Sequence, residues 1–404
     1  MNYFEGPRPF LDRIQQSALV VGGIGACALI VGAIFSTQQF FQSYLFAYMF
    51  VLSFSAGSLG ILVLHHMVSG RWGFAIQRLI EASTRTIPLM ALLFIPILLG
   101  LKDIYPWMHH DSMPQGPLMG FKQTYLSIPL FVGRAVFYFA VWTLMAFTLT
   151  RWSRKQDQSS DVLLTRKLRL LSAPGIIIYV FTMTFAGFDW VMSLEPQWYS
   201  SIFGALIVVS QVLSTLALCI IALRLLARFK PFSGFLTETH FHHLGNLLLT
   251  FVVLWAYMQV SQLIIIWSGN LPEENLWYLH RGGTWNYLVI PLVIGHFFIP
   301  FFLLLSRRTK RAMARLALVA VFILIMRAAD MFWLITPAFH PAEFHLSWLD
   351  IAAPISLGGL WLALFIWHLK AYPLIPLHDP RFVLSGGMEQ ASEPALQTGG
   401  RAKG

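Results

Sequence analysis

Cysteine is nearly missing from this chain of 404 residues: Cys27 and Cys219 are its only two, and both lie inside apolar stretches. That excludes a thiolate-held Fe-S cluster, a cysteine zinc site and the C-x-x-C-H attachment of a c-type haem. Charge is scarce too, at 11% of residues against 57% hydrophobic. The polar stretches are all too short for a folded domain of about 50 residues or more. Histidines are present, but not as a cytochrome b core, which needs two on one helix about four turns apart, mirrored on a second helix. His65, His66, His242, His243 and His368 sit near the ends of apolar runs, and His296 stands alone near the middle of one. No metal-ligand set is legible, so covalently bound cofactors are not expected.

What is abundant is apolar sequence in long runs. A helix needs roughly 20 apolar residues to cross a bilayer, and ten stretches qualify: about 14 to 35, 43 to 68, 87 to 101, 126 to 150, 170 to 194, 201 to 227, 245 to 268, 285 to 306, 314 to 336 and 349 to 370. The fold class expected is an all-α integral membrane protein of about ten transmembrane helices. Residues 1–13 form a polar segment with no cleavable signal behind them, so the first crossing reads as a retained anchor. The transmembrane domain covers 14–371, and 372–404 is a polar tail expected, from about Leu384, to be disordered or to lie along a partner.

Basic residues give the orientation, because short cytoplasmic loops retain Lys and Arg. One side carries Arg8 and Arg13, then Arg71, Arg78 and Arg85, then six between Arg151 and Arg169. Arg224, Arg228 and Lys230 follow, with five from Arg307 to Arg315 and the tail's Lys370, Arg381, Arg401 and Lys403: 23 of the 28 in all. Only Lys102, Lys122 and Arg281 fall on the opposite side. Both termini therefore face the cytoplasm. The net charge of +10 has anionic lipid headgroups as its partner rather than nucleic acid.

Arg134 and Arg327 remain inside the membrane, with Asp189 and Asp330. Charge there is expensive unless paired or hydrated, which makes such residues functional candidates. Arg134 on crossing 4 lies roughly 12 Å from the outer face, Asp189 on crossing 5 roughly 8 Å and Asp330 on crossing 9 roughly 9 Å, at 1.5 Å per residue. Arg327 and Asp330 share one helical face at i, i+3. Similar depth on three helices predicts one polar cluster, which Gln259, Gln262 and His296 on crossings 7 and 8 extend inward. A neutralising pair that fixes helix packing is the alternative for Arg327 and Asp330. Asp189 has no charged neighbour on its own helix, so it needs a partner elsewhere or must hold its proton, and a carboxyl that holds a proton can release it. Glu195, six residues further out beside Pro196 and Trp198, offers a second step toward the outer water. His65 and His66 on crossing 2 are the inner counterpart, or merely solvated interfacial side chains. Gln211 on crossing 6 is at most a relay.

These residues also carry a resemblance. The run Gly187-Phe188-Asp189-Trp190-Val191-Met192-Ser193-Leu194-Glu195-Pro196-Gln197-Trp198-Tyr199, with Gly204 following, resembles the NrfD-like (polysulfide reductase type) membrane subunits of bacterial alternative complex III. So do Leu64-His65-His66, Gly70-Arg71-Trp72-Gly73, Arg78, Glu81, Arg85 and Pro88, and likewise Arg327, Asp330, Phe332, Trp333 and Pro337. The likeness runs over essentially the whole chain and is strongest to the second of the two such proteins in that complex. It implies two four-helix bundles, crossings 2 to 5 (about 43–194) and 6 to 9 (about 201–336), with crossings 1 and 10 peripheral. It further implies a place in the inner membrane, in a complex that oxidises quinol, typically menaquinol, and passes electrons to a cytochrome c or cupredoxin. The partners implied are an NrfD-like sibling, an Fe-S protein and a multihaem cytochrome c, with membrane lipid around them.

In that family the first of the two NrfD-like proteins, the sibling, is thought to hold quinol with a His and an Asp near the outer face. Here Met183, Thr184 and Phe185 precede Asp189, so crossing 5 has no such His. Three readings stay open. One is a proton pathway or energy-coupling element, with His65 and His66 as intake, His296 and Gln211 as relay, Arg327 and Asp330 as gate, and Asp189 with Glu195 as outlet. The second is a menaquinol-binding subunit, with menaquinone or lipid as the bound group. The third is a scaffold without chemistry of its own. A stand-alone transporter is a weaker fourth, since Pro96, Pro129, Pro291 and Pro300 show no paired pattern in the two halves.

Overall fold

In hydrocarbon every backbone N–H and C=O must be satisfied within the protein, and a helix does this locally. The computed structural model describes residues 7–109, 119–159, 161–376, 379 and 381. These are mostly helical, without a strand among them. Among the described residues, ten helices are long and apolar enough to cross a membrane: Arg8–Phe35, Thr37–Val68, Trp72–Leu99, Ile128–Gln156, Val162–Leu194, Phe203–Leu226, Glu238–Gly269, Gly283–Leu305, Met313–Ala338 and Trp348–Lys370. The chain is a multi-pass integral membrane protein. The tail beyond 381, including its expected disorder, and the first six residues lie outside the described residues.

Crossing 2 packs against crossings 3 and 5, and crossing 4 against 3 and 5; crossing 6 packs against 7 and 9, with 8 beside 7 and 9. These are the two bundles. Crossings 2, 5 and 6 form the seam between them, and crossings 2 and 6 are the most enclosed, with 89% and 78% of their apolar windows buried. Crossing 10 lies on crossing 2, tied by Ser43 Oγ donating to Asp350 at 2.6 Å and Trp361 Nε1 donating to Ser55 at 2.8 Å. Crossing 1 then packs on crossing 10 at a glycine contact. A Cβ on Gly22 would stand 2.9 Å from the Leu360 nitrogen, and one on Gly359 would stand 2.7 Å from the Gly22 Cα. Small residues let backbones approach where no water drives helices together.

Crossing 3 starts well before the expected residue 87. Its first piece, Arg71–Thr84, carries Arg78 and Glu81, which depress a hydropathy average. They are nevertheless buried, at 4% and 3% exposed, because they neutralise each other. Pro88 and Pro96 then restart the helix at its second and third pieces, each at a first-turn position whose N–H has no helical partner anyway. Arg78 therefore belongs to the protein interior, not to a cytoplasmic loop.

Candidate functional site: three ionic groups in the outer half

The four intramembrane charges do not form one cluster. They divide into two pairs, one per bundle. In the first, Arg134 of crossing 4 reaches Asp189 of crossing 5 through two hydrogen bonds, Nε to Oδ2 at 2.8 Å and Nη2 to Oδ1 at 2.9 Å. The partner that Asp189 needs is thus a guanidinium on the next helix. Tyr138 donates a third bond to Oδ2 at 2.9 Å, and Arg134 spends its remaining amino group on the Tyr125 carbonyl at 2.8 Å while stacking 3.8 Å above the Tyr125 ring. Asp189 is fully buried. Bidentate pairs of this kind are strong and directional, and with Tyr138 they hold Asp189 by three donors.

The second pair is less complete. Arg327 and Asp330, one turn apart on crossing 9, are in direct contact and both buried. Arg327 also donates to Ser214 Oγ of crossing 6 at 3.3 Å, and Trp255 of crossing 7 donates to the same Asp330 oxygen at 3.2 Å. The other oxygen, Oδ1, is buried with no partner. An unfilled acceptor on a buried carboxyl is unusual, since such groups are nearly always satisfied. Asp330 lines a cavity of about 360 Å³ between crossings 7, 8 and 9, whose wall also holds Trp255, Gln259, Tyr278, Arg281, Asn286 and Trp333. The Trp333 indole N–H is likewise buried without an acceptor.

His296 stands behind this site. A π-helical turn, Val293–Phe298, places it on crossing 8, and its ring packs edge-on against Trp255 with centroids 3.8 Å apart. Both ring nitrogens are buried without partners. Single π-turns of this sort recur at functional sites. Gln259 faces the cavity, whereas Gln262 accepts from Ser200 at 3.1 Å.

Glu195 is not a second step after Asp189. It pairs with Arg281 at 2.7 Å and with His280 Nδ1 at 3.2 Å, both from the short helix before crossing 8 and the turn after it. Arg281 in turn donates to the carbonyls of Trp277 and Leu334 at 3.0 and 2.8 Å. Trp277 stacks on Trp198, centroids 4.0 Å apart, so Trp198 is a buried anchor. Burial by itself raises the Glu195 carboxyl, but Arg281 foremost, with His280, outweighs it and holds Glu195 below the ordinary carboxylate value. Burial pushes the Arg281 guanidinium down to about 10, against the pull of Glu195. Arg281 was legible only as one of three outer cations. Because it also lines the Asp330 cavity, it links Glu195 to that carboxyl across one wall.

On the cytoplasmic side, His65 and His66 are wholly buried rather than solvated. His65 sits against Trp72 and Phe74, and neither of its nitrogens is within hydrogen-bond range of a partner among the described residues. Arg381, paired with Asp379, donates to the His66 carbonyl at 3.4 Å and to Ser69 Oγ at 3.0 Å. Gln211 accepts from Tyr179 at 3.1 Å and keeps its own amide N–H₂ unpartnered. It lies one turn from Ser214, hence one turn from the Arg327 contact. Between Gly57, which touches the Gln211 carbonyl region, and His65 run about eight residues of crossing 2, roughly 12 Å at helical rise. Leu59, Ile61, Leu62 and Val63 fill that interval. A buried network near the cytoplasmic end escaped the sequence reading: Arg78 contacts Glu81 at 2.6 Å and also Asp157, while Ser153 Oγ donates to Glu81 at 2.5 Å. The i, i+3 spacing of Arg78 and Glu81 was its visible signal.

The class of protein defined by this fold and site is a polytopic helical membrane protein with ion pairs buried in the outer half of two bundles. A scan against protein-family models finds no match, and a search of the curated proteins finds none.

Proposed function

We propose that this chain is the second NrfD-type membrane protein of a bacterial quinol:cytochrome c or quinol:cupredoxin oxidoreductase, alternative complex III, and that it supplies a route for protons in energy coupling. The observation that carries this reading is the half-satisfied carboxyl of Asp330. It faces a cavity shared with Arg281, and through Arg281 it reaches Glu195 and the partly exposed His280. A carboxyl with a vacant lone pair beside a polar cavity can accept a proton from water or from a neighbouring group and return it. Arg327 sets the balance by compensating the ionised form. His296, Gln211 and Ser214 stand on the inner side of that pair, with His65 and His66 as intake, and water must enter the apolar interval of Leu59, Ile61, Leu62 and Val63 for a proton to pass between them. The outlet runs over Glu195 and His280, while Asp189, closed by three donors, holds crossings 4 and 5 together.

Two experiments test this. Affinity purification through a tag on this chain should bring down a multihaem cytochrome c, an Fe-S protein and an NrfD-like sibling; recovery of the chain alone would remove the complex assignment. In the purified complex, Asp330→Asn should lower the protons moved per electron while electron flow continues, and an unchanged ratio would remove the proton route.

One observation favours a second reading, a menaquinol-binding subunit. The cavity beside Asp330 is mainly apolar, and two residues in its wall carry a buried group without a partner, the acceptor Asp330 Oδ1 and the donor Trp333 Nε1; a few polar groups in an apolar wall is how small-ligand pockets are usually built. A photoreactive quinone that labels Trp255 or Trp333 would support it, and labelling confined to the NrfD-like sibling would remove it.

A further inference from the structure

A cavity at the cytoplasmic end of crossing 4 takes no part in the proton route. Its volume is about 610 Å³, and four cations, Arg85, Arg151, Arg154 and Lys155, stand in its wall beside Trp152 and Tyr372, with no carboxylate among the lining residues. The two acids closest in sequence, Glu81 and Asp157, are taken by Arg78. Among the described residues, none of the four cations is in a salt bridge. Arg85 stacks over Phe147 at 4.4 Å and Arg154 over Tyr372 at 3.2 Å. Stacking on an aromatic face leaves a guanidinium's donors in its plane free for an acceptor. The Nε of Arg85 and of Arg154 are both buried without one, although Arg85 also makes a long contact to Thr150 at 3.5 Å. This is a preformed seat for a phosphate-type anion.

The seat opens into the membrane. Leu144 and Phe147 in its wall are 69% and 40% exposed on the surface of the helices, and both also line a second cavity of about 690 Å³ between crossings 3 and 4. That groove is apolar, with Phe94, Val136 and Ala140 among its walls, and reaches Val132. From Leu144 to Val132 the helix advances about 18 Å at 1.5 Å per residue, so the groove is longer than the ~15 Å that an acyl chain of one leaflet spans in a core about 30 Å thick, and its far end at Val132 lies in the outer half. A free phosphate would use the head seat and leave the groove idle; a phospholipid uses both. Basic pockets between transmembrane helices on the cytoplasmic side are recognised seats for anionic headgroups.

We propose that this composite site holds one anionic phospholipid of the cytoplasmic leaflet, its phosphodiester on Arg85 and Arg154 and one acyl chain in the groove between crossings 3 and 4. The test is native mass spectrometry of the full-length chain, delipidated in detergent and titrated with phosphatidylglycerol, with phosphatidylcholine, and with phosphatidylglycerol in the presence of inorganic phosphate. Phosphatidylglycerol should bind in preference to phosphatidylcholine, and the double variant R85Q/R154Q should weaken it about thirtyfold, the loss of two basic residues near an anionic head. Ala140→Trp, at an exposed groove position, keeps every cation and should also weaken binding, so the result does not hang on the double variant folding. Equal binding of the two lipids, Ala140→Trp binding like the wild type, or displacement of the lipid by millimolar inorganic phosphate would each overturn the proposal.

Discussion

Replacing Arg134 alone should be far worse than replacing Arg134 and Asp189 together. The fully buried Asp189 accepts three side-chain hydrogen bonds, two of them from Arg134. Arg134→Met removes two of the three and the compensating charge, leaving only Tyr138. Breaking a buried pair from one side costs about 3–5 kcal/mol, whereas replacing both partners by apolar residues of similar volume is often close to neutral. The prediction is a loss of about 3–5 kcal/mol in Arg134→Met and recovery of most of it in Arg134→Met/Asp189→Leu. The chain contains its own reporter, because Cys219 is buried while Cys27 is exposed on the helix surface. In a Cys27→Ser background, a thiol-reactive dye labels Cys219 only on unfolding, so the denaturant midpoint reads stability directly. If single and double variants lose the same amount, the two residues are not energetically coupled, and the reading of Asp189 as a structural partner of Arg134 fails.

Three further outcomes follow from the geometry. Glu195 is held below its ordinary value, so its contribution to stability is present above about pH 4.5 and is lost as pH falls through the lower folded-state value; Cys219 labelling between about pH 3 and 6 should show an acid-side loss that Glu195→Gln flattens, and an identical profile in that variant would contradict the pairing. Gly359→Leu should separate crossings 1 and 10, since even a Cβ meets the Gly22 backbone at 2.7 Å; cross-linking between introduced cysteines on those two helices should fall sharply, and unchanged cross-linking would refute the close contact. With both termini inside, a cysteine at Asn270 should react with an impermeant maleimide in spheroplasts while one at Ser159 stays protected, and the reverse pattern would invert the topology.

The number and place of the crossings were readable because a bilayer demands uninterrupted apolar length; crossings 1, 2, 5 and 7 begin six to eight residues before the expected point, and crossing 3 was misjudged most at its start. There Arg78 and Glu81 look hydrophilic one at a time and are neutral as a pair, which a running average cannot register. The same limit explains the site. Depth along each helix is a property of the sequence, so Arg134, Asp189, Arg327 and Asp330 could be recognised as outer-half charges. Which helices face each other is a property of packing, and it split a presumed single cluster into two. Glu195 was read as following Asp189 because the two are six residues apart in the chain, yet the 3-10 turn Met192–Leu194 carries it to the other bundle, where Arg281 and His280 wait. His65 and His66 lie at the end of their helix in sequence, and only the folded Trp72, Phe74 and Arg381 enclose them.

The account rests on Asp330 exchanging a proton while Asp189 does not. Infrared difference spectroscopy of the purified complex, oxidised minus reduced, reads this at the carboxyl stretching band. We predict a band that Asp330→Asn abolishes and Asp189→Asn leaves in place; a spectrum in which Asp330→Asn changes nothing, or Asp189→Asn removes the band, would contradict it.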